Sequence, residues 1–556
     1  MKNKQQSTAI LTTKRALLYG LGVCGAQFMS GYVNSFQTQF YSDMYSDIDP
    51  KIFFVVAIVI LLAKLLSSIA DPIIGAIIDR SQFKKGKIVP WIGISALPVA
   101  LLTTLIFIDI PFENLGPTAG KIVMYVYITF TTVCWNIAYS LADIPSQSLL
   151  TLLSPDAGER NKAAGFANTF KSISSSIPGV FVTFIMLVLT AITGKDSSDI
   201  GYVRTYYITA AIIFFLLGMG LHLINYFYTK ERVRSYGSKT VSLHEMFVEL
   251  KRNKMIRILF LSIILGFARG AMGAVVVQAG GVLIGKVYVP ILSNLLAGGA
   301  ELDPTSNATW LAGIASGITS MVSIVSVPFI NKKLGERKTF IIFALYGFVV
   351  ALVCTIFYFV LPADSAMHGG LPALIMLWVM LFFVGFMYGT HGYIPLVMTA
   401  DIIDYQEWKT GERREGVDYA IVSFANKVAS AFSVATGILI VAISGYNSTA
   451  TVTPSMQRWL FFAFISLPGI GCLLSMIPFL WYKIDDKTKR QMRAELTERR
   501  AKAEEEAAGT ELAAQTVAPS AEETTSTDVH TPIEPEQPDE QSIGAVDDAP
   551  DDAGND

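Results

Sequence analysis

Long apolar segments recur along almost the whole chain, and they leave few folds open. A helix rises about 1.5 Å per residue, so roughly 20 apolar residues cross a bilayer core about 30 Å thick. Lipid offers no partner to a free backbone N–H or C=O, so segments of this kind must be helical. Twelve are read, at residues 16–41, 52–79, 91–110, 121–149, 164–193, 204–229, 256–288, 308–331, 338–361, 371–400, 417–445 and 457–482. Hydrophobic residues make up 52% of the chain and charged residues 16%, where a soluble domain carries about a quarter charged residues. The fold class expected is an all-α membrane protein with twelve transmembrane helices.

Charge in the loops sets the expected orientation. Residues 79–88, 230–257 and 331–338 are rich in Lys and Arg, whereas the alternate loops, such as 41–50 and 289–307, are poor in them. The positive-inside rule then puts both termini in the cytoplasm. The long basic loop after span six divides the chain six plus six. The basic GERK at 335–338 echoes the Gly/basic loop between spans two and three, as expected of a carrier built from two related halves. The expected organisation is a six-helix bundle over 1–229, a cytoplasmic middle loop over 230–255, a second six-helix bundle over 256–485, and a charged helix with an acidic tail over 486–556. The tail carries too little apolar surface to offset the entropy of ordering it, so it is read as disordered.

Several function classes drop out. A net charge of −2 implies no nucleic-acid partner. No nucleophile elbow, His-rich metal cluster or phosphate-binding Gly loop is found, so neither an enzyme nor a bound cofactor is expected. The four cysteines, Cys24, Cys134, Cys354 and Cys472, sit apart in apolar runs and read as packing residues.

An ionisable group in mid-membrane costs roughly 2.5–3.5 kcal/mol on insertion scales, and it persists where it faces a cavity and does work. Asp71 on span two, Asp143 on span four and Lys427 on span eleven are the main candidates, with Arg269 and His391 as softer ones. Asp71 precedes Pro72, and Asp143 precedes Ile144-Pro145, so freed carbonyls lie near each carboxylate. Ser67 and Ser68 share the face of Asp71, and Ser140 that of Asp143. Such an oxygen-rich pocket suits Na⁺ at Asp71 and Asp143, or a proton on one carboxylate. Lys427 would compete with the cation or pair with a carboxylate. Asp79 and Arg80, together with Asp401, Asp404 and Glu415, fall near the inner boundary and read as gating salt bridges.

Four stretches, 70–91 (ADPIIGAIIDRSQFKKGKIVPW), 138–166, 229–247 and 393–416 (YIPLVMTADIIDYQEWKTGERREG), resemble the glycoside–pentoside–hexuronide:cation symporters, the melibiose-permease-like branch of the major facilitator superfamily. The resemblance runs in order over nearly all of residues 14–485. It implies two six-helix bundles, a central cavity, alternating access, and a plasma-membrane carrier that works as a monomer. Its cation site falls here on Ser67, Ala70 and Asp71 of span two, and on Ser140 and Asp143 of span four. One carboxylate and an Asn of the family pattern are absent, which favours H⁺ over Na⁺. Its sugar site falls on Gln27, Asp143, Gln147 and Asn168, with no Trp near Gly392. His391 and Lys427 add cationic side chains suited to a hexuronide or another acidic solute. The function expected is cation-coupled symport of a glycoside, hexuronide or related small polar solute. The alternatives are a carrier for a non-sugar amphiphilic or anionic solute, and a transporter-like sensor.

Overall fold

The computed structural model describes residues 11–499, apart from 82, 155–156, 196–198, 233–241, 290–292, 294–308, 363–364, 413, 447–450 and 486. The side chains of Asp79 and Glu415 lie outside what it describes, as do several within residues 157–187 and 309–313. Every named element is a helix. They are α1 (Thr13–Tyr45), α2 (Ile52–Arg80), α3 (Val89–Ile106), α4 (Pro117–Leu152), α5 (Ala157–Thr193) and α6 (Ile200–Tyr228). There follow α7 (Leu243–Arg252), α8 (Lys254–Leu265), α9 (Ala271–Leu283), α10 (Thr309–Leu334), α11 (Glu336–Val360), α12 (Gly370–Thr410) and α13 (Glu415–Ile443). The last span is α14 (Pro454–Phe461) and α15 (Leu467–Met476), joined by a π-helical turn over Phe462–Ser466.

Ten helices among the described residues are long and apolar enough to cross a membrane. An eleventh span is the pair α8 and α9, bent by 42° where the chain passes through Phe267–Gly270. The remaining expected span, 164–193, lies on α5, a helix of 37 residues whose only described apolar stretch of that kind is Phe184–Thr193.

The chain through Glu495 forms one compact body. In the first half α1 packs on α5 and α6, α2 and α3 pack on α4, and α3 packs on α6. In the second half α10 packs on α12, and α13 on α8 and α9. The α10/α12 contact depends on small residues. A Cβ at Gly389 would meet the Ser320 carbonyl, Ser323 Cβ at 2.8 Å and Ile324 N at 3.1 Å, and one at Gly385 would meet Ser316 and Thr319. Helices in lipid gain their association from such close backbone approach, because burying apolar surface yields nothing there.

Two contacts cross between the halves in a way that matters for function. Along the middle, α2 packs on α13. At the end away from the basic loops, Gln278 Nε2 donates to Gln39 Oε1 at 3.1 Å, Gln39 Nε2 donates to the Tyr446 hydroxyl at 3.4 Å, and Phe53 meets the Tyr446 ring edge-on at 5.7 Å. The two halves are therefore joined by a polar seam at that end.

Candidate functional site: a polar cavity between the halves

A cavity of about 680 Å³ lies between α1, α2, α4 and α5 on one side and α13 on the other. Its α13 wall runs from Tyr419 to Ser430, toward the start of that helix. The lining is polar to an extent that lipid-embedded helices tolerate only around water or solute. Ser30, Asn34, Ser67, Ser68, Asn136 and Ser140 face it, and so do three lysines, Lys64, Lys171 and Lys427.

Helical geometry makes this wall. On α2, Lys64, Ser67, Ser68 and Asp71 follow the three-and-four spacing of one face. Ser67 Oγ and Ser140 Oγ share a hydrogen bond of 2.8 Å across α2 and α4, so the two predicted hydroxyls do meet. On α4, Trp135 and Tyr139 stack at 5.3 Å, one turn apart. The Trp135 indole N–H donates to Thr103 at 2.9 Å, and the Tyr139 hydroxyl donates to Gln27 Oε1 at 3.0 Å. That leaves an aromatic pair, oriented at both ends, against the cavity.

The two membrane carboxylates are each held by a lysine. Lys427 of α13 donates to Asp71 Oδ2 of α2, an ion pair that ties one half to the other. Asp71 Oδ1 is buried and, among the described residues, has no hydrogen-bond partner. Lys171 of α5 lies 3.4 Å from Asp143 Oδ1, and Gln147 Nε2 donates to Asp143 Oδ2 at 2.6 Å. Lys64 donates to Asn34 Oδ1 at 3.3 Å, and Asn34 is itself anchored on Ser30 at 2.8 and 2.9 Å. Three ammonium groups against two carboxylates leave the site one positive charge in excess when all five are ionised.

Of the residues read from sequence, Gln27, Ser67, Asp71, Ser140, Asp143, Gln147 and Lys427 are gathered at or beside this cavity. Others are not. Asn168 is exposed on α5 and does not line it. His391 is buried within the second half: its Nδ1 bonds the Met387 carbonyl at 2.8 Å and its ring packs 4.7 Å from Phe340. Arg269 sits in the break between α8 and α9, beneath Gly266, and its carbonyl accepts from the Tyr388 hydroxyl at 3.1 Å. Arg80 is exposed at the end of α2. Asp401 is buried and binds Lys489 at 2.5 Å and Arg493 at 3.3 Å, and Lys489 also pairs with Glu336. Its partners thus come from the helical stretch after the last span, within the same half. Asp404 is half-buried beside it in sequence, and the side chains of Asp79 and Glu415 fall outside the described residues.

Lys64 and Lys171 are absent from the sequence reading. Lys64 stands in IVILLAKLLSS, and the argument that singled out Asp71 applies to it unchanged. Lys171 stands in NTFKSISSS, where neighbouring hydroxyls hide a charge within a span.

Residues 18–278 and 302–486 match the family described as MFS/sugar transport protein. The chain belongs to this family. Within it, the glycoside–pentoside–hexuronide:cation symporters are the branch whose members it matches. The isoprimeverose transporter of Lactiplantibacillus pentosus is 25% identical over 77% of this chain and 81% of that protein. The glucuronide carrier protein homolog of Escherichia coli is 24% identical over 78% of this chain and 85% of that protein. The inward-open xylose transporter XylE of E. coli has the same fold, with a TM-score of 0.53 at 14% identity, over 86% of this chain and 99% of that one. This MFS sugar-transport family member is thus a multi-pass carrier of the cell membrane and not an enzyme.

Proposed function

We propose that the protein is a proton-coupled symporter of an acidic sugar, of hexuronide type, with its basic-loop end and both termini in the cytoplasm. The observation that carries the reading is the excess of lysine over carboxylate in the cavity. A neutral glycoside needs no surplus cation, whereas a sugar carboxylate does. The stacked Trp135–Tyr139 pair offers a flat face for a pyranose ring, and Gln27, Asn34 and Asn136 offer donors and acceptors for its hydroxyls. The likeness to a glucuronide carrier homolog supports the same substrate class.

Coupling follows from the ion pairs. With Asp143 ionised, Lys171 is engaged and the substrate carboxylate finds it occupied. A proton on Asp143 releases Lys171 for the substrate. Loss of either ligand restores the internal pair, so the proton and the sugar acid favour each other's binding, which is the reciprocity symport requires. Asp71 and Lys427 act on the second half of the cycle: their bond bridges α2 and α13 and has to rearrange when the halves rock. Asp143 and Asp71 each already face an ammonium group, and the Ser67 and Ser140 hydroxyls bond each other. That arrangement serves a proton better than a Na⁺, which asks for several free oxygens.

The test is uptake by proteoliposomes holding the purified carrier. A hexuronide is expected to accumulate under an inward proton gradient, and a Na⁺ gradient alone is expected to drive nothing. Accumulation driven by Na⁺ would replace the proton in this scheme, and preference for the uncharged glycoside would remove the acidic substrate from it.

A further inference from the structure

The basic-loop end of the second half holds a buried acid that the central cavity does not explain. Asp418, one turn into α13, has 0% of its surface exposed. Among the described residues, neither of its carboxylate oxygens has a hydrogen-bond partner. Its charged neighbours are Glu249 and Arg414. Glu249, on α7, is itself 0% exposed, accepting from Gln406 Nε2 at 2.7 Å and from Arg414 Nη1 at 3.2 Å. Both carboxylates are buried, and the guanidinium described beside them is engaged with Glu249 and, at 2.7 and 3.0 Å, with Glu412.

Among the described residues, no surrounding group relieves Asp418. Arg414 holds the exposed Glu412 below the usual carboxylate range by hydrogen bonding to it, so Glu412 is a fixed anion. Arg252, at the end of α7, lies 3.6 Å from Glu412 and not at Asp418. On α8, Lys254 and Arg257 are exposed. On α12, Asp404 and Glu407 would add only negative charge, and Lys409 is exposed. On α2, Arg80 is exposed and Asp71 is paired with Lys427. Among the described residues, Asp418, Glu249 and Glu412 ionised against Arg414 and Arg252 leave one negative charge in excess. One proton balances it.

We propose that Asp418, with Glu249, forms a proton-binding site separate from the central cavity, and that a proton held there fastens α7 to α13. α7 carries the middle loop: it is started by a capping box between Ser242 and Glu245, and it enters the core around Ile402 and Ile421 through Met246. It packs directly on α13. Burial penalises the ionised acid, and so does the Glu249 charge, so the packed state is favoured when Asp418 is protonated. Alkaline pH on the basic-loop side therefore loosens the hold of the middle loop on the helix that lines the cavity. The site is independent of the sugar and of the proton assigned to Asp143.

The experiment is amide hydrogen exchange on the full-length carrier in nanodiscs, read at 243–252 and 415–425, from roughly pH 5 to pH 9, the range in which buried carboxyls titrate. Protection factors, corrected for the chemical exchange rate, are expected to fall in the wild type by up to about tenfold per pH unit, the limit for one proton. Asp418→Asn, which cannot ionise, is expected to keep α7 protected throughout. Glu249→Gln frees Arg414 to compensate an ionised Asp418 and is also expected to flatten the profile. If one variant fails to assemble, the other decides. A flat wild-type profile overturns the proposal by itself, and so does a wild-type decline retained in an assembled Asp418→Asn carrier.

Discussion

Lys171 and Asp143 are the residues on which the proposed coupling turns. A hydrogen bond to a charged group contributes about 1.5–3 kcal/mol, and about 1.4 kcal/mol is tenfold in affinity. Lys171→Gln is therefore expected to weaken binding of the acidic sugar by roughly tenfold or more while leaving its uncharged counterpart within about twofold. The check is isothermal titration of both compounds against both carriers, and an equal loss for the two would remove Lys171 from the carboxylate. Asp143→Asn mimics the protonated acid. It is expected to keep counterflow of labelled substrate and to lose uphill accumulation, and a variant that still concentrates substrate would show that the proton travels elsewhere. Asp71, Asp143 and Lys427 are legible in the sequence because a charge in an apolar run stands out. Their partners are not: Lys171 reaches Asp143 only because α5 packs where it does, 28 residues along the chain. His391 misled for the converse reason. Its Nδ1 bonds a carbonyl four residues back and its ring packs beside Phe340 in the core of the second half, away from the cavity lining. Glu249 and Asp418 could not be joined from sequence at all, since an acid near a span end reads as solvated until the fold buries it.

At the scale of the element, the apolar runs place the helices but not their ends. Each of the twelve expected segments falls on helix, yet α12 runs ten residues beyond 400, to Thr410, and stops at Gly411 with φ 72°. That last stretch, DIIDYQEWKT, is amphipathic, so an apolarity criterion ends before the hydrogen-bond ladder does. The bend between α8 and α9 is likewise not legible from apolarity, although Arg269 interrupts the run there. It falls at Gly266, where a side chain would collide with Arg269, and the following turn is 3₁₀. The glycines of α12 give this scale its test. Gly389 faces α10 with no room for a Cβ, whereas Gly392, one turn on, has open space. Gly389→Val is expected to cost about 1–3 kcal/mol through overpacking and to lower the melting temperature of the detergent-solubilised carrier. Gly392→Ala is expected to leave it unchanged, and equal shifts for the two would mean that α10 and α12 are not held by close approach.

For the molecule as a whole, fold and family were within reach of the sequence, because the span pattern and the four quoted stretches extend over most of it. What the fold adds is the convergence of three lysines from α2, α5 and α13 on one cavity, two of them paired with Asp71 and Asp143 beside it, with the halves joined at the opposite end by Gln39, Gln278 and Tyr446. That convergence has a consequence for charge movement. One proton carried with one sugar carboxylate is electrically neutral, whereas a proton or Na⁺ carried with a neutral sugar moves one charge and would gain roughly 2.3 kcal/mol per 100 mV. The most direct measurement is hexuronide uptake into proteoliposomes at a fixed inward proton gradient, with the membrane potential clamped at zero or negative inside. The account predicts the same accumulation at both potentials. Accumulation that rises when the interior is made negative would contradict it, because net positive charge would then be crossing with the sugar.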